Sequence, residues 1–232
     1  VNYTLSQHGF GLITGVLSVD EIDALRAEVS GLTTPLRGGV RNLLSQSPMI
    51  NALAHQHTLK QIADEALGAE AFPVRALLFD KVAAANWKVP WHQDTAIAVR
   101  ERTEIPGFSG WSEKEGVPHV HPPASILDEM VSLRLHLDDC GQDNGPLRVI
   151  PESHNRGILN SEQIEAFRKQ TAEVTCCAAA GDVLAMRPLI LHASSPAQSP
   201  SHRRVIHIEY ACRPLPYGVH WYEQAESLAT LN

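Results

Sequence analysis

The chain has 232 residues, 44% of them hydrophobic and 19% charged, which suits a globular protein able to bury one sizeable core. A net charge of −7 argues against broad attraction to nucleic acid or anionic membrane and leaves open a local basic pocket for an anionic small-molecule substrate. No apolar stretch approaches the roughly 20 residues of a membrane-spanning helix, so no membrane insertion is expected.

The start, Val1-Asn2-Tyr3-Thr4, lacks the basic and apolar regions of a signal peptide, in keeping with a cytoplasmic location. Ser18-Val19-Asp20-Glu21 is a capping box, and Ile22, Leu25 and Val29 follow at helical spacing, with Gly31 as a stop. Gly38-Gly39 marks a loop. Ser47-Pro48 opens a short helix, and Thr58 to Gln61 reads as a cap before Ile62, Ala66 and Leu67, ended by Gly68. Phe72 to Val82 predicts a strand. Helices gathered ahead of strands indicate an α+β, mainly β arrangement rather than alternating βαβ units. Residues 1–232 read as a single domain, with 1–70 a mainly helical preamble.

The chemistry starts at His92-Gln93-Asp94. In an extended segment, side chains two apart share a face, so His92 and Asp94 reach one point while Gln93 turns away. Two imidazoles and a carboxylate match the facial triad of non-haem Fe(II) oxygenases, which leaves about three coordination positions open. A 2-oxo acid and O2 can take those positions, whereas a closed four-ligand zinc site has none. A small residue in place of Asp94 would free a position for halide, so the aspartate favours hydroxylation.

Residues 95–130 carry Arg100, Arg102, Phe108, Trp111, His119, His121 and Pro122-Pro123 without clear periodicity, and are read as an irregular segment covering the site. His119-x-His121 lacks a carboxylate at similar spacing, so pocket wall or surface is preferred over a second metal site. In Ser132-Leu133-Arg134-Leu135-His136-Leu137, leucines alternate with polar residues. The polar face is either solvent-exposed or, in a closed barrel, lines the cofactor cavity. Trp87 and Trp91 are read as packing residues, with a place in the pocket wall as the alternative for either.

The third ligand is His192. Gly181-Asp182 is a turn signal, Val183–Met186 a strand, and Leu189-Ile190-Leu191 delivers His192 at its end. Ser194 begins a loop rich in Ser and Pro that runs to Ser201. Arg203 then opens a β-prone run to Tyr210. Two antiparallel strands joined by that loop would set Arg203 beside His192. Its guanidinium could clamp the far carboxylate of 2-oxoglutarate, with a further hydrogen bond from Ser194. Arg204 points to the opposite face, so only one of the two can be the clamp. Cys140, Cys176, Cys177 and Cys212 show neither zinc nor disulfide spacing and suit free thiols in a reducing compartment.

These stretches resemble the phytanoyl-CoA dioxygenase family. The likeness lies in Asn86-Trp87-Lys88-Val89-Pro90-Trp91-His92-Gln93-Asp94, in Leu135-His136-Leu137-Asp138-Asp139, in Asp143-Asn144-Gly145-Pro146-Leu147 through Pro151-Glu152-Ser153-His154, and in Gly181-Asp182 through His192 and Ser194 to Arg203. It covers roughly residues 70–212. The resemblance implies a double-stranded β-helix (jelly-roll, cupin-like) core over 71–212, with the N-terminal helices packed on it. It further implies Fe(II), 2-oxoglutarate and O2 as cofactor and cosubstrates, held by His92, Asp94 and His192 for the metal and Arg203 for the oxo acid. The implied reaction hydroxylates an unactivated C–H bond and releases succinate and CO2. Arg134 falls where family members place a second oxoglutarate contact, and Lys81 is a further candidate of that kind. Glu152 departs from the family, where glycine is more usual in that turn. A non-oxidative cupin-type metal enzyme and a catalytically silent binding barrel stay open as alternatives.

Overall fold

The computed structural model describes residues 3–32, 39–198 and 202–224. Val1, Asn2, Gly38 and residues 199–201 of the Ser/Pro-rich loop lie outside them.

Among the described residues, thirteen strands follow in chain order: β1 (Phe10–Ile13), β2 (Gly39–Val40), β3 (Phe72–Asp80), β4 (Val89–His92), β5 (Ile97–Ala98), β6 (Ser109–Lys114), β7 (Val117–His121), β8 (Met130–His136), β9 (Leu147–Ile150), β10 (Val174–Cys176), β11 (Val183–Met186), β12 (Leu191–Ser194) and β13 (Arg204–Ala211). Seven helices accompany them: α1 (Leu5–His8), α2 (Val19–Leu32), α3 (Leu43–Gln46), α4 (Pro48–Ala54), α5 (His57–Leu67), α6 (Ala124–Leu127) and α7 (Ser161–Gln170). A six-stranded sheet runs β1-β11-β8-β13-β3-β2, a four-stranded sheet β10-β9-β12-β4, and a small one β5-β7-β6. All the pairings are antiparallel, and the architecture is an α+β jelly-roll. The expectation of a closed barrel is corrected, because the two principal sheets stay separate.

The alternation of β8 sorts its residues as the sequence suggested. Leu133 and Leu135 join Ala76, Leu78, Ile206, Ile208 and Tyr210 on the outer face, under a helical layer that contributes Ile22, Leu25, Val29, Ile50, Leu53 and Leu59. Each buried Leu or Ile there is worth about 1.5–3 kcal/mol. Ser132, Arg134 and His136 point the other way, between the sheets, and are also buried. The solvent-face alternative for this strand is therefore rejected.

Local signals behave unevenly. The capping box is formed: the Ser18 backbone N–H donates to Glu21 at 2.8 Å and the Glu21 N–H to Ser18 Oγ at 3.3 Å. Ser47 caps α4 by accepting from the Ile50 N–H at 3.1 Å, with Pro48 in the first turn. Gly31 does not stop α2, which reaches Leu32, and Thr58 lies inside α5, whose N-cap is Gln56. Gly39 belongs to β2 rather than to a loop, and β3 ends at Asp80, two residues short of Val82. The preamble is not wholly helical either, since β1 and β2 supply the two edges of the large sheet.

The larger correction concerns residues 95–130. They form β5, the β6–β7 hairpin and α6. Glu115 and Gly116 both have positive φ (54° and 79°), the geometry of a tight two-residue hairpin turn. Glutamate is a poor residue for that conformation, which is why the turn was hard to read.

Candidate active site

His92 and His192 are cross-strand neighbours on β4 and β12, with ring centroids 4.2 Å apart. Antiparallel pairing thus brings together residues a hundred positions apart in the chain. Asp94 follows β4 and is held by its backbone N–H donating to Pro188 O at 2.9 Å. Its two carboxylate oxygens lie 3.6 Å from His92 Nε2 and 3.6 Å from His192 Nε2. The three donor atoms all fall within 4.8 Å of one another, a group able to hold one metal ion.

Both imidazoles are oriented from behind. His92 Nδ1 lies 2.8 Å from Pro90 O and His192 Nδ1 3.0 Å from Ile190 O, which leaves each Nε2 facing the carboxylate. Metal-ligating histidines are commonly fixed in this way. Burial pushes the His192 imidazole down to about 4, favouring the neutral, ligating form. Burial would raise the Asp94 carboxyl, but His192, His92 and His207 outweigh it and hold it well below its ordinary value.

Gln93 does turn away, and it ties the loops together. Its amide donates to Leu189 O at 2.7 Å and Gly157 O at 2.8 Å, and accepts from the Leu159 N–H at 2.8 Å. Ser153 of the Pro-Glu-Ser-His segment accepts from the Leu191 N–H at 2.8 Å, setting the start of β12 one residue before His192. Glu152 has φ 64°, a left-handed conformation that explains the family's glycine at this turn.

A cavity of about 370 Å³ opens beside the three ligands, lined by Leu77, Phe79, Trp87, Val89 and Leu147 among apolar groups. Arg203, Arg134 and Ser194 line it too. Arg203 arrives by a different route from the one expected. Strands β12 and β13 are not paired; they lie in separate sheets, and the connection between them crosses the sandwich. Arg203 precedes β13 and faces the cavity from the sheet opposite His192. It donates through Nη1 to Gly145 O, while its buried Nε has no partner. Gly145 has φ 60°, and a Cβ there would meet Ser195 O at 2.5 Å, so this contact requires glycine.

Arg134 lies on the inner face of β8, with Nη1 3.1 Å from His207 Nδ1 and a partnerless buried Nε. Burial and the adjacent Arg203 push Arg134 down to about 10. Lys81 sits behind Ser194, donating to its Oγ at 2.9 Å and to Ser195 O at 2.6 Å. Arg204 faces away as expected, bound by two side-chain hydrogen bonds to Asp138 at 2.8 and 2.7 Å.

Trp87 is a cavity wall, while Trp91 lies between Arg148 and Arg168 at 5.4 and 5.3 Å. His119 and His121 do not form a metal pair. His119 Nε2 lies 3.2 Å from Arg75 Nη2, and His121 Nδ1 lies 3.0 Å from Thr95 Oγ1. Sequence reasoning missed Arg41, Arg75, Lys114, His207 and Glu209, all of which line the cavity. For Arg75 there was a signal: it is the one charge between Phe72 and Phe79 in an otherwise apolar strand.

The sequence profile of the phytanoyl-CoA dioxygenase (PhyH) family matches residues 5–205. The chain belongs to the phytanoyl-CoA dioxygenase family. It is similar to the ectoine dioxygenase of Bordetella parapertussis, 25% identical over 166 residues, covering 65% of this chain and 47% of that protein. It is also similar to the L-proline trans-4-hydroxylase of Streptomyces griseoviridis, 24% identical over 233 aligned positions, covering 84% of this chain and 79% of that one. The chain thus spans about half the length of the ectoine dioxygenase it matches. Among solved structures, the epimerase SnoN from nogalamycin biosynthesis, in complex with Fe3+, alpha ketoglutarate and nogalamycin RO, superposes with a TM-score of 0.70 at 17% identity. The match covers 89% of this chain and 80% of SnoN, and establishes the shared jelly-roll.

Proposed function

We propose that this protein is an Fe(II)- and 2-oxoglutarate-dependent dioxygenase that hydroxylates a C–H bond of a small molecule. The observation that carries the reading is the meeting of His92, Asp94 and His192 within 4.8 Å, beside a cavity lined by two buried arginines with uncommitted Nε groups. Three ligands leave room for a bidentate oxo acid and for O2. The lone N–H groups of Arg203 and Arg134 suit its distal carboxylate, since buried donors without partners are costly. A non-oxidative metal enzyme would have no use for them.

In this reading His92 and His192 bind the metal through Nε2, and Asp94 supplies the carboxylate. Gln93 keeps the Asp94 and His192 segments in register. Arg203 and Arg134 hold the far end of 2-oxoglutarate. Lys81 donates to Ser194 Oγ, which leaves the serine hydroxyl hydrogen free to point at that carboxylate. With 2-oxoglutarate bound, Fe(II) supplies O2 activation, coupling oxidative decarboxylation to succinate and CO2 with hydroxylation of the substrate. Leu77, Phe79, Val89 and Leu147 keep the reacting centre dry.

Names of the relatives point to small-molecule substrates. No helix among the described residues is long and apolar enough to cross a membrane. Four free cysteines support a reducing, cytoplasmic setting. Anaerobic addition of Fe(II) and then 2-oxoglutarate tests the proposal. It should develop a visible metal-to-ligand charge-transfer band, and a colourless mixture at saturating concentrations of both would overturn the assignment.

A further inference from the structure

The cavity has a second cationic end. On the inner face of the large sheet, Arg75 stands opposite Glu209, while Lys81 stands opposite Arg203, its backbone N–H donating to Arg203 O. These two backbone levels are six residues apart along β3 and the residue after it, about 20 Å at the usual rise of a strand. Arg203 serves one end, and Arg134, opposite His207 and so level with Leu77, stands between the two. At the other, Arg75 is joined by Arg41 and by Lys114 from the β6–β7 hairpin, all three lining the same cavity.

The three cations at this far end are only partly neutralised by the carboxylates beside them. Glu209 Oε1 accepts from Arg75 Nη1 at 3.3 Å, and Glu115, at the hairpin tip, lies 3.8 Å from Arg41. Arg75 Nε is buried and has no partner. The Lys114 side chain makes no hydrogen bond or ion pair among the described residues. Burial and then Arg75 lower both Arg41 and Lys114, and Arg41 lowers Lys114 further, against the opposing pull of Glu115 on Arg41 and of Glu209 and Asp94 on Lys114. Three crowded cations on a protein of net charge −7 carry a repulsive cost that one oxyanion would relieve.

We propose that Arg41, Arg75 and Lys114 form the recognition site for an oxyanion, carboxylate or phosphate, borne by the substrate. This rests on the dioxygenase reading, which assigns the Arg203 end to 2-oxoglutarate. The site holds the charged end of a small substrate so that a C–H bond some distance from that charge lies at the metal. A cavity of about 370 Å³ is near the lower limit for ligand sites, so the molecule is compact.

The test uses the full chain loaded anaerobically with Fe(II) and saturating 2-oxoglutarate. Hexanoate, hexyl phosphate and hexanamide are titrated by calorimetry while the charge-transfer band is followed. At least one of the two oxyanions should bind with 1:1 stoichiometry, the band should persist, and hexanamide should bind at least tenfold more weakly. The better of the two acids identifies which oxyanion the site prefers. In the Arg41→Gln/Lys114→Gln variant, both changes at half-exposed positions, the affinity should fall at least tenfold with the band intact. Lys114→Glu alone should do the same. Equal binding of the amide, no binding of either acid at millimolar concentration, or unchanged affinity in the variants overturns the proposal. Absence of the band in wild type instead removes the dioxygenase reading beneath it.

Discussion

Lys81 Nζ lies 2.9 Å from Ser194 Oγ, with both side chains shut off from water. An ammonium so placed, beside Arg203 and near Arg134, is pushed down to about 7, first by burial and then by Arg203. Unfolded, the same lysine titrates near its ordinary value of 10.5. Between those values the unfolded chain holds a proton that the folded one lacks, so stability should rise with pH. The penalty is complete below pH 7 and gone above about 10.5. Lys81→Met should abolish this rise; urea unfolding of both proteins at pH 7 and 9 measures it. An identical pH dependence in the variant would mean that another group titrates.

Arg203→Ala should weaken 2-oxoglutarate binding by about 2–4 kcal/mol, roughly 30- to 1,000-fold, as expected for truncating one partner of a buried charge pair. The charge-transfer band should return at high 2-oxoglutarate. Arg203→Lys should recover part of the affinity, since it restores charge without the planar fork. An unchanged 2-oxoglutarate requirement would move the clamp to Arg134.

Metal should also stabilise the fold, because it binds the native arrangement of His92, Asp94 and His192 and not the unfolded chain. Adding Co(II) or Fe(II) should raise the wild-type thermal midpoint, and EDTA should reverse the gain. His192→Ala should show no metal-dependent shift. A shift of equal size in that variant would place the bound ion elsewhere.

Glu152→Gly should stabilise the protein by about 1 kcal/mol, because the left-handed conformation strains every side chain with a Cβ. Chemical denaturation reads the change. A loss of stability would show that the Glu152 side chain contributes more than its backbone strain costs.

Much of the site was legible because its signals are local and stringent. His92-Gln93-Asp94 needs only a strand end to converge, and the short Gly145 and Ser153 motifs report backbone contacts that other residues would obstruct or lose. The route of Arg203 was not legible. Chain proximity to His192 suggested strand pairing, whereas a jelly-roll sends successive strands to opposite sheets. The far cationic end was hidden for a related reason. Arg41, Arg75 and Lys114 come from three separate strands or strand ends, and only the assembled sandwich brings them together.

The β6–β7 hairpin forms its own ladder, pairs with β5 through β7, and touches the large sheet through His119 against Arg75 and Glu115 beside Arg41. It supplies Lys114 and none of the three metal-binding candidates. The proposed substrate site is therefore shared between this hairpin, through Lys114, and the large sheet, through Arg41 and Arg75. Recharging the hairpin would thus alter what the cavity admits without touching any of the three metal-binding candidates.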